Sequence, residues 1–210
     1  MTTPTKAPAQ PVPKFERETR KFTVEEYYRM AEVGILRPDE RVELIDGEVI
    51  VMPPIGEPHA VGVDNLTLPF AEVARGHFIV RVQGPIRLDN GSELQPDVVL
   101  MRPRQDSYIS GHPGPTDVLL VIEVSDTTLA HDREVKLNLY ARANIPETWI
   151  MNLVEDCIEA FTGPGSDGYA NHAIYRRGDR ISPSTLPDVE FAVDDLLPPV
   201  VGEEDEGGNS

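Results

Sequence analysis

Val118-Leu-Leu-Val-Ile-Glu-Val124 is the stretch whose reading decides the fold. It is apolar at every position but one, the pattern of a strand buried on both faces at the centre of a sheet. About five residues later, Leu129 to Ala143 reads as a helix, and Thr148 to Leu153 with Cys157 to Phe161 reads as a hairpin around Glu155-Asp156. Upstream, Asp97 to Met101 is a short apolar strand that begins just after Pro96, and Phe78 to Val82 and Ile86 to Leu88 read as strands separated by Gly84-Pro85. His59 to about Arg75 reads as a helix that Pro69 is expected to kink or interrupt. Earlier still, two β-rich runs flank Asp46-Gly47, a strong hairpin signal. Before them Thr23 and Glu26 have the spacing of a capping box, opening a helix that Gly34 ends. Tyr169 to Tyr175 adds a further strand and Phe191 to Leu197 a short closing element. Helices and strands alternating around one buried strand predict an α/β protein, a mixed central sheet flanked by helices with β-hairpin additions.

The chain has 210 residues, enough for one domain with its own core, expected over residues 21–198. Residues 1–20 are rich in Pro, Thr, Lys and Ala and predict a flexible arm, whereas residues 199–210 carry Glu203, Glu204, Asp205 and Glu206 and predict a disordered acidic tail. No apolar run approaches the roughly 20 residues of a membrane span, and the N-terminus lacks the apolar core of a secretory signal. Cys157 alone excludes an internal disulfide framework and fits a reducing cytoplasm, where it reads as a small buried hydrophobe. The formal net charge of −17 disfavours a broad phosphate-binding surface, so any nucleic acid must be held by a local basic patch, by metal ions or by a partner.

Chemistry concentrates at the ends of the apolar strands. A carboxylate at Glu123, at the end of a buried strand, is costly unless paired or bound to a metal; the alternative is a glutamate emerging into solvent. Asp97 sits at the margin of another apolar strand, and two carboxylates on neighbouring strands can bind a hard divalent cation through oxygen. On the helix after the Glu123 strand, Asp132, Lys136 and Tyr140 share a face at i, i+4 and i+8, although an exposed Asp132–Lys136 pair is the plainer reading of that spacing. Carboxylates that hold Mg²⁺, with a lysine that orients water or neutralises phosphoryl charge, suit phosphodiester hydrolysis. Arg102 and Arg104, just past the Asp97 strand, could touch a phosphate backbone, with a solvated loop the commoner outcome. Trp149 and the tyrosines read as core.

Taken in order, Glu43-Leu-Ile-Asp-Gly-Glu48, Met52-Pro-Pro, His59, Pro96-Asp97, Glu123-Val-Ser125, and Asp132 through Lys136 and Tyr140 to Trp149 resemble the Uma-type restriction endonuclease family of the PD-(D/E)XK nuclease superfamily. The similarity runs from about Phe22 to Leu197. It implies a restriction-endonuclease-like core and a metal-dependent endonuclease that cleaves DNA with Mg²⁺, for which Mn²⁺ can substitute. Asp97 and Glu123 would be the metal-binding acids, with the Val124 carbonyl on the same ion. The superfamily lysine, two residues after the glutamate, is Ser125 here, and the Uma-type variant moves it to Lys136. Glu43 would be the additional acid, for a second ion or its water, while His59 and Tyr140 match positions that serve positioning or packing. A homodimer would set two sites for a double-strand cut. The alternatives are a non-catalytic binding or assembly module on a nuclease scaffold, and a metal phosphodiesterase acting on RNA or small substrates.

Overall fold

The computed structural model describes residues 19–199, so the arm and the acidic tail expected at the two ends lie almost wholly outside the described residues. Thr23 caps α1 (Val24–Glu32): its hydroxyl accepts the Glu26 N–H while the Glu26 carboxylate accepts the Thr23 N–H. β1 (Val42–Ile45) and β2 (Glu48–Val51) pair about Asp46 and Gly47, whose φ angles of 47° and 77° are those a two-residue hairpin turn requires. α2 (Glu57–Ala74) runs through Pro69 without stopping there, against the expected interruption. Val63, Leu66 and Phe70, buried on either side of the proline, hold both halves against the sheet. Tertiary packing outweighs the one lost helical hydrogen bond.

The main sheet contains β3 (Ile79–Val82), β6 (Val98–Met101), β7 (Val118–Ser125), β8 (Glu147–Asn152), β9 (Cys157–Gly165) and β10 (Gly168–Arg176). Its six strands lie in the order β10-β9-β8-β7-β6-β3, and β7 is buried at all eight positions. Every pairing is antiparallel except β7 with β8. That parallel pair is joined by the helical crossover that parallel strands need. The crossover comprises α3 (Leu129–His131), one π-helical turn (Asp132–Lys136) and α4 (Leu137–Arg142) without a break.

β4 (Ile86–Arg87) and β5 (Glu93–Leu94) join the first hairpin in a separate sheet of order β2-β1-β5-β4. The strands expected on either side of Gly84-Pro85 therefore belong to different sheets, and that break is where the chain passes between them. β11 (Arg180–Ile181), β12 (Phe191–Ala192) and α5 (Val193–Leu196) close the fold beside α2. Among the described residues no helix is long and apolar enough to cross a membrane.

Strand parity divides the core. Leu120, Ile122 and Val124 of β7, with Val98 and Leu100 of β6, face α2 and pack with Phe70 and Trp149. Val121 and Val99 face the other way, toward Leu139, Tyr140 and the small sheet. Because side chains alternate along a strand, Glu123 and Asp97 are set on this second face, toward the crossover helix and β1.

α2 seats itself through Gly62, where a Cβ would lie 2.8 Å from Val124 Cγ1 and 3.2 Å from Met151 Sδ. Gly62→Leu is expected to destabilise the protein by about 1–3 kcal/mol through overpacking, measured by urea denaturation. A variant as stable as wild type would contradict this close seating. The seat matters to the site because His59 lies one turn earlier on the same helix.

Candidate active site

Five ionisable side chains converge at the carboxyl end of β7. Glu43 on β1, Asp97 just before β6, Glu123 on β7, and Asp132 and Lys136 on the π turn are all at most 6% exposed. They line one cleft of about 310 Å³, whose outer wall is Met52-Pro53-Pro54-Ile55-Gly56 and whose rim includes His59, Gln95, Asp126 and Arg41.

Each side chain is held. Lys136 Nζ lies 3.2 Å from Glu43 Oε1 and 3.3 Å from Glu123 Oε1, bridging the two sheets. Glu43 Oε1 also accepts the Gln95 N–H at 2.8 Å, while its Oε2 is buried without a partner. The Tyr140 hydroxyl donates to Glu123 from the buried side. Asp97 Oδ2 accepts the Val124 N–H at 2.9 Å, and Oδ1 meets His59 Nε2 at 2.8 Å. Asp132 Oδ2 accepts from both Ser125 Oγ and Thr128 Oγ1 at 2.7 Å.

The link from Asp97 to Val124 follows from sheet register. Val98 pairs with Ile122, so the same antiparallel ladder extended by two residues sets Pro96 opposite Val124. Proline has no N–H, so the Val124 carbonyl loses its ladder donor, and the carboxylate beside it takes the Val124 N–H. The sequence Pro96-Asp97 thus ends the ladder and leaves backbone polarity at the cleft.

The π turn has a comparable local effect. Leu137 N–H donates to the Asp132 carbonyl, five residues back. A regular α-helix drifts about 40° over four residues, and the wider turn takes up this drift, keeping Asp132, Lys136 and Tyr140 on the cleft side.

Charge is out of balance here. Burial pushes the Glu123 carboxyl well above the ordinary glutamate value; Lys136 pulls it back, and Asp132, Asp97 and Glu43 add to the rise. Burial also opposes the Lys136 ammonium, but Glu123 and then Glu43 outweigh it and hold the lysine charged. Tyr140 is raised as well, first by burial and then by Glu123, so it remains a donor. The cleft thus holds four buried carboxylates and one buried lysine, which pairs with Glu43 and Glu123.

The residues expected from sequence fall together: Asp97, Glu123, Lys136, Glu43 and His59 line the cleft, and Tyr140 backs Glu123. Glu43, beside its hairpin, is buried. The plainer reading of an exposed Asp132–Lys136 pair does not hold, since both are buried and each has other partners. Arg104 instead pairs with Asp106, and Arg102 donates to the Thr116 carbonyl. Both lie past the opposite end of β6 from Asp97, and neither lines the cleft. Sequence reasoning missed Gln95, Asp126 and Arg41, which sit in loops or at strand ends where no periodicity marks them; the role of Ser125 as a donor to Asp132 was also not foreseen.

The donor set suits a hard cation: oxygen atoms, an excess of negative charge, and Glu43 Oε2 without a partner. Among the described residues no three His, Cys, Asp or Glu side chains stand close enough together to hold a metal ion by themselves.

No curated protein matches the chain. Among solved structures, a protein from Anabaena variabilis ATCC 29413, described as a putative nuclease belonging to DUF820, superposes with a TM-score of 0.63 at 13% identity. The match covers 84% of this chain and 97% of that one, establishing the restriction-endonuclease-like fold. The family model Uma2, described as "Putative restriction endonuclease", matches residues 24–194, more than half the chain, and the chain accordingly belongs to the Uma2 family.

Proposed function

We propose that this chain is a divalent-metal-dependent endonuclease that hydrolyses phosphodiester bonds of DNA. The observation that carries the reading is the convergence of four buried carboxylates and one buried lysine on an open cleft. As a purely structural device this is poor, because replacing buried ion pairs with apolar side chains is often neutral or stabilising.

Asp97 and Glu123, with the Val124 carbonyl, would hold Mg²⁺ or Mn²⁺. Such an ion supplies Lewis-acid charge for the phosphoryl oxygen and lowers the pKa of water. Lys136, held charged by Glu43 and Glu123, would neutralise charge building on the phosphoryl group. Glu43, whose Oε2 has no partner, would serve a second ion or the attacking water. His59 fixes the Asp97 carboxylate and Tyr140 fixes Glu123. A homodimer that presents two clefts to one duplex belongs to the same reading.

The net charge of −17 favours the other reading, a binding or assembly module on a nuclease scaffold. The two separate in one assay. Plasmid, single-stranded DNA and RNA are incubated with protein in Mg²⁺, Mn²⁺ or chelator. The proposal expects metal-dependent cleavage of DNA, with nicked or linear plasmid as product and none in chelator. No cleavage of any of the three under either metal would overturn it.

A further inference from the structure

Arg41 differs from most cations of this chain. The sequence has 36 acidic residues against 19 Lys and Arg, and the arginines around the fold are largely taken up by carboxylates. Arg37 pairs with Asp39, Arg87 with Glu93, Arg133 with Glu159, Arg142 with Asp46 and Arg177 with Asp156. Among the described residues Arg41 has no carboxylate partner, and its one side-chain hydrogen bond is from Nη1 to the Pro53 carbonyl at 2.6 Å. It is exposed and lies on the rim of the carboxylate cleft.

Its position follows from the strand. Arg41 precedes β1 and continues its pairing, since the Met52 N–H donates to the Arg41 carbonyl at 2.8 Å. It is two residues before Glu43, so the two side chains share a face about 7 Å apart along the strand. Glu43 pairs with Lys136 through Oε1 and makes no ion pair with Arg41. The Pro53 carbonyl steadies one arm of the guanidinium, in a wall that Pro53 and Pro54 stiffen. An arginine has five N–H donors in a planar fork, and the remaining ones are free for a ligand at the cleft mouth.

We propose that Arg41 binds a phosphate flanking the scissile bond, and that the substrate is consequently a polynucleotide strand rather than an isolated small diester. This rests on the phosphodiesterase reading of the cleft. The flanking phosphate meets a cation one strand step out from the reacting group, and the acidic surface makes that one contact count for more.

The test compares a fluorescent single-stranded oligonucleotide with bis(p-nitrophenyl) phosphate, which has no flanking phosphate, both in Mn²⁺. Arg41→Ala is expected to raise KM for the oligonucleotide about 10-fold or more, the usual worth of a charge-assisted hydrogen bond. Its loss on the small diester should be several times smaller. Arg41→Gln can still donate to the Pro53 carbonyl, so it separates charge from loop support and should behave like Arg41→Ala, while Arg41→Lys recovers part of the loss. In Arg41→Ala the slope of log Kd against log salt for the oligonucleotide should fall by about 0.7, one single-strand phosphate contact. Equal losses on both substrates, or wild-type behaviour of Arg41→Gln, would overturn the role of Arg41 alone. A wild-type protein inactive on both substrates would overturn the phosphodiesterase reading and this inference with it.

Discussion

Asp97→Asn is expected to lower phosphodiester hydrolysis about 10³-fold at fixed Mg²⁺ while leaving the fold intact. The substitution preserves shape. The asparagine oxygen can accept the Val124 N–H that Asp97 Oδ2 accepts now at 2.9 Å, and its amide can face His59 Nε2. What disappears is one negative charge at the point where the ladder ends at Pro96. A lost carboxylate ligand removes several kcal/mol of charge stabilisation, and each 1.36 kcal/mol corresponds to about tenfold in rate. Steady-state kinetics across a Mg²⁺ titration, with a thermal melt beside them, measure both halves. Activity within about tenfold of wild type would show that Asp97 does not hold the ion.

Lys136→Met carries the second large effect, this time on the metal-free protein. The ammonium sits 3.2 Å from Glu43 and 3.3 Å from Glu123, and all three side chains are buried. Breaking a buried ion pair from one side typically costs about 3–5 kcal/mol, because it leaves charge without compensation. Methionine has nearly the length of lysine, so the deficit is electrostatic rather than a cavity. Urea denaturation in chelator should show it, and Mn²⁺ should restore part of it by supplying the missing positive charge.

The pH dependence has a definite sign. Burial holds the folded Glu123 carboxyl well above the ordinary glutamate value, so the folded state takes up the proton more readily than the unfolded state. That contribution is complete below the unfolded value and lost as pH rises through the folded one. The Lys136→Met deficit should therefore shrink as pH falls toward 4.5. A variant as stable as wild type in chelator at neutral pH would contradict the counter-ion role of the lysine.

Much of this site was legible in the sequence because it is written on regular elements. The apolar run of β7 marked a strand buried on both faces, and its one interruption marked Glu123. The face that Glu123 takes was not legible, since an all-apolar strand shows no alternation; it emerged only when Val121 and Ile122 were seen in opposite cores. Lys136 was found by helical spacing and family order, yet the π turn that keeps it aligned with Asp132 and Tyr140 leaves no mark in periodicity. Strands of two residues, such as β5 and β11, are too short for a period of two to show. Glu43 was marked only by family order, since its burial depends on the docking of the small sheet against α4, which no local pattern shows.

The central claim is that the cleft binds a divalent cation through Asp97 and Glu123. Calorimetric titration of Mn²⁺ into chelator-stripped wild-type protein, Asp97→Asn and Glu123→Gln tests it most directly. The account predicts saturable binding by the wild type that both variants lose while remaining folded. Absence of saturable binding in the wild type, or unchanged binding in both variants, would contradict it.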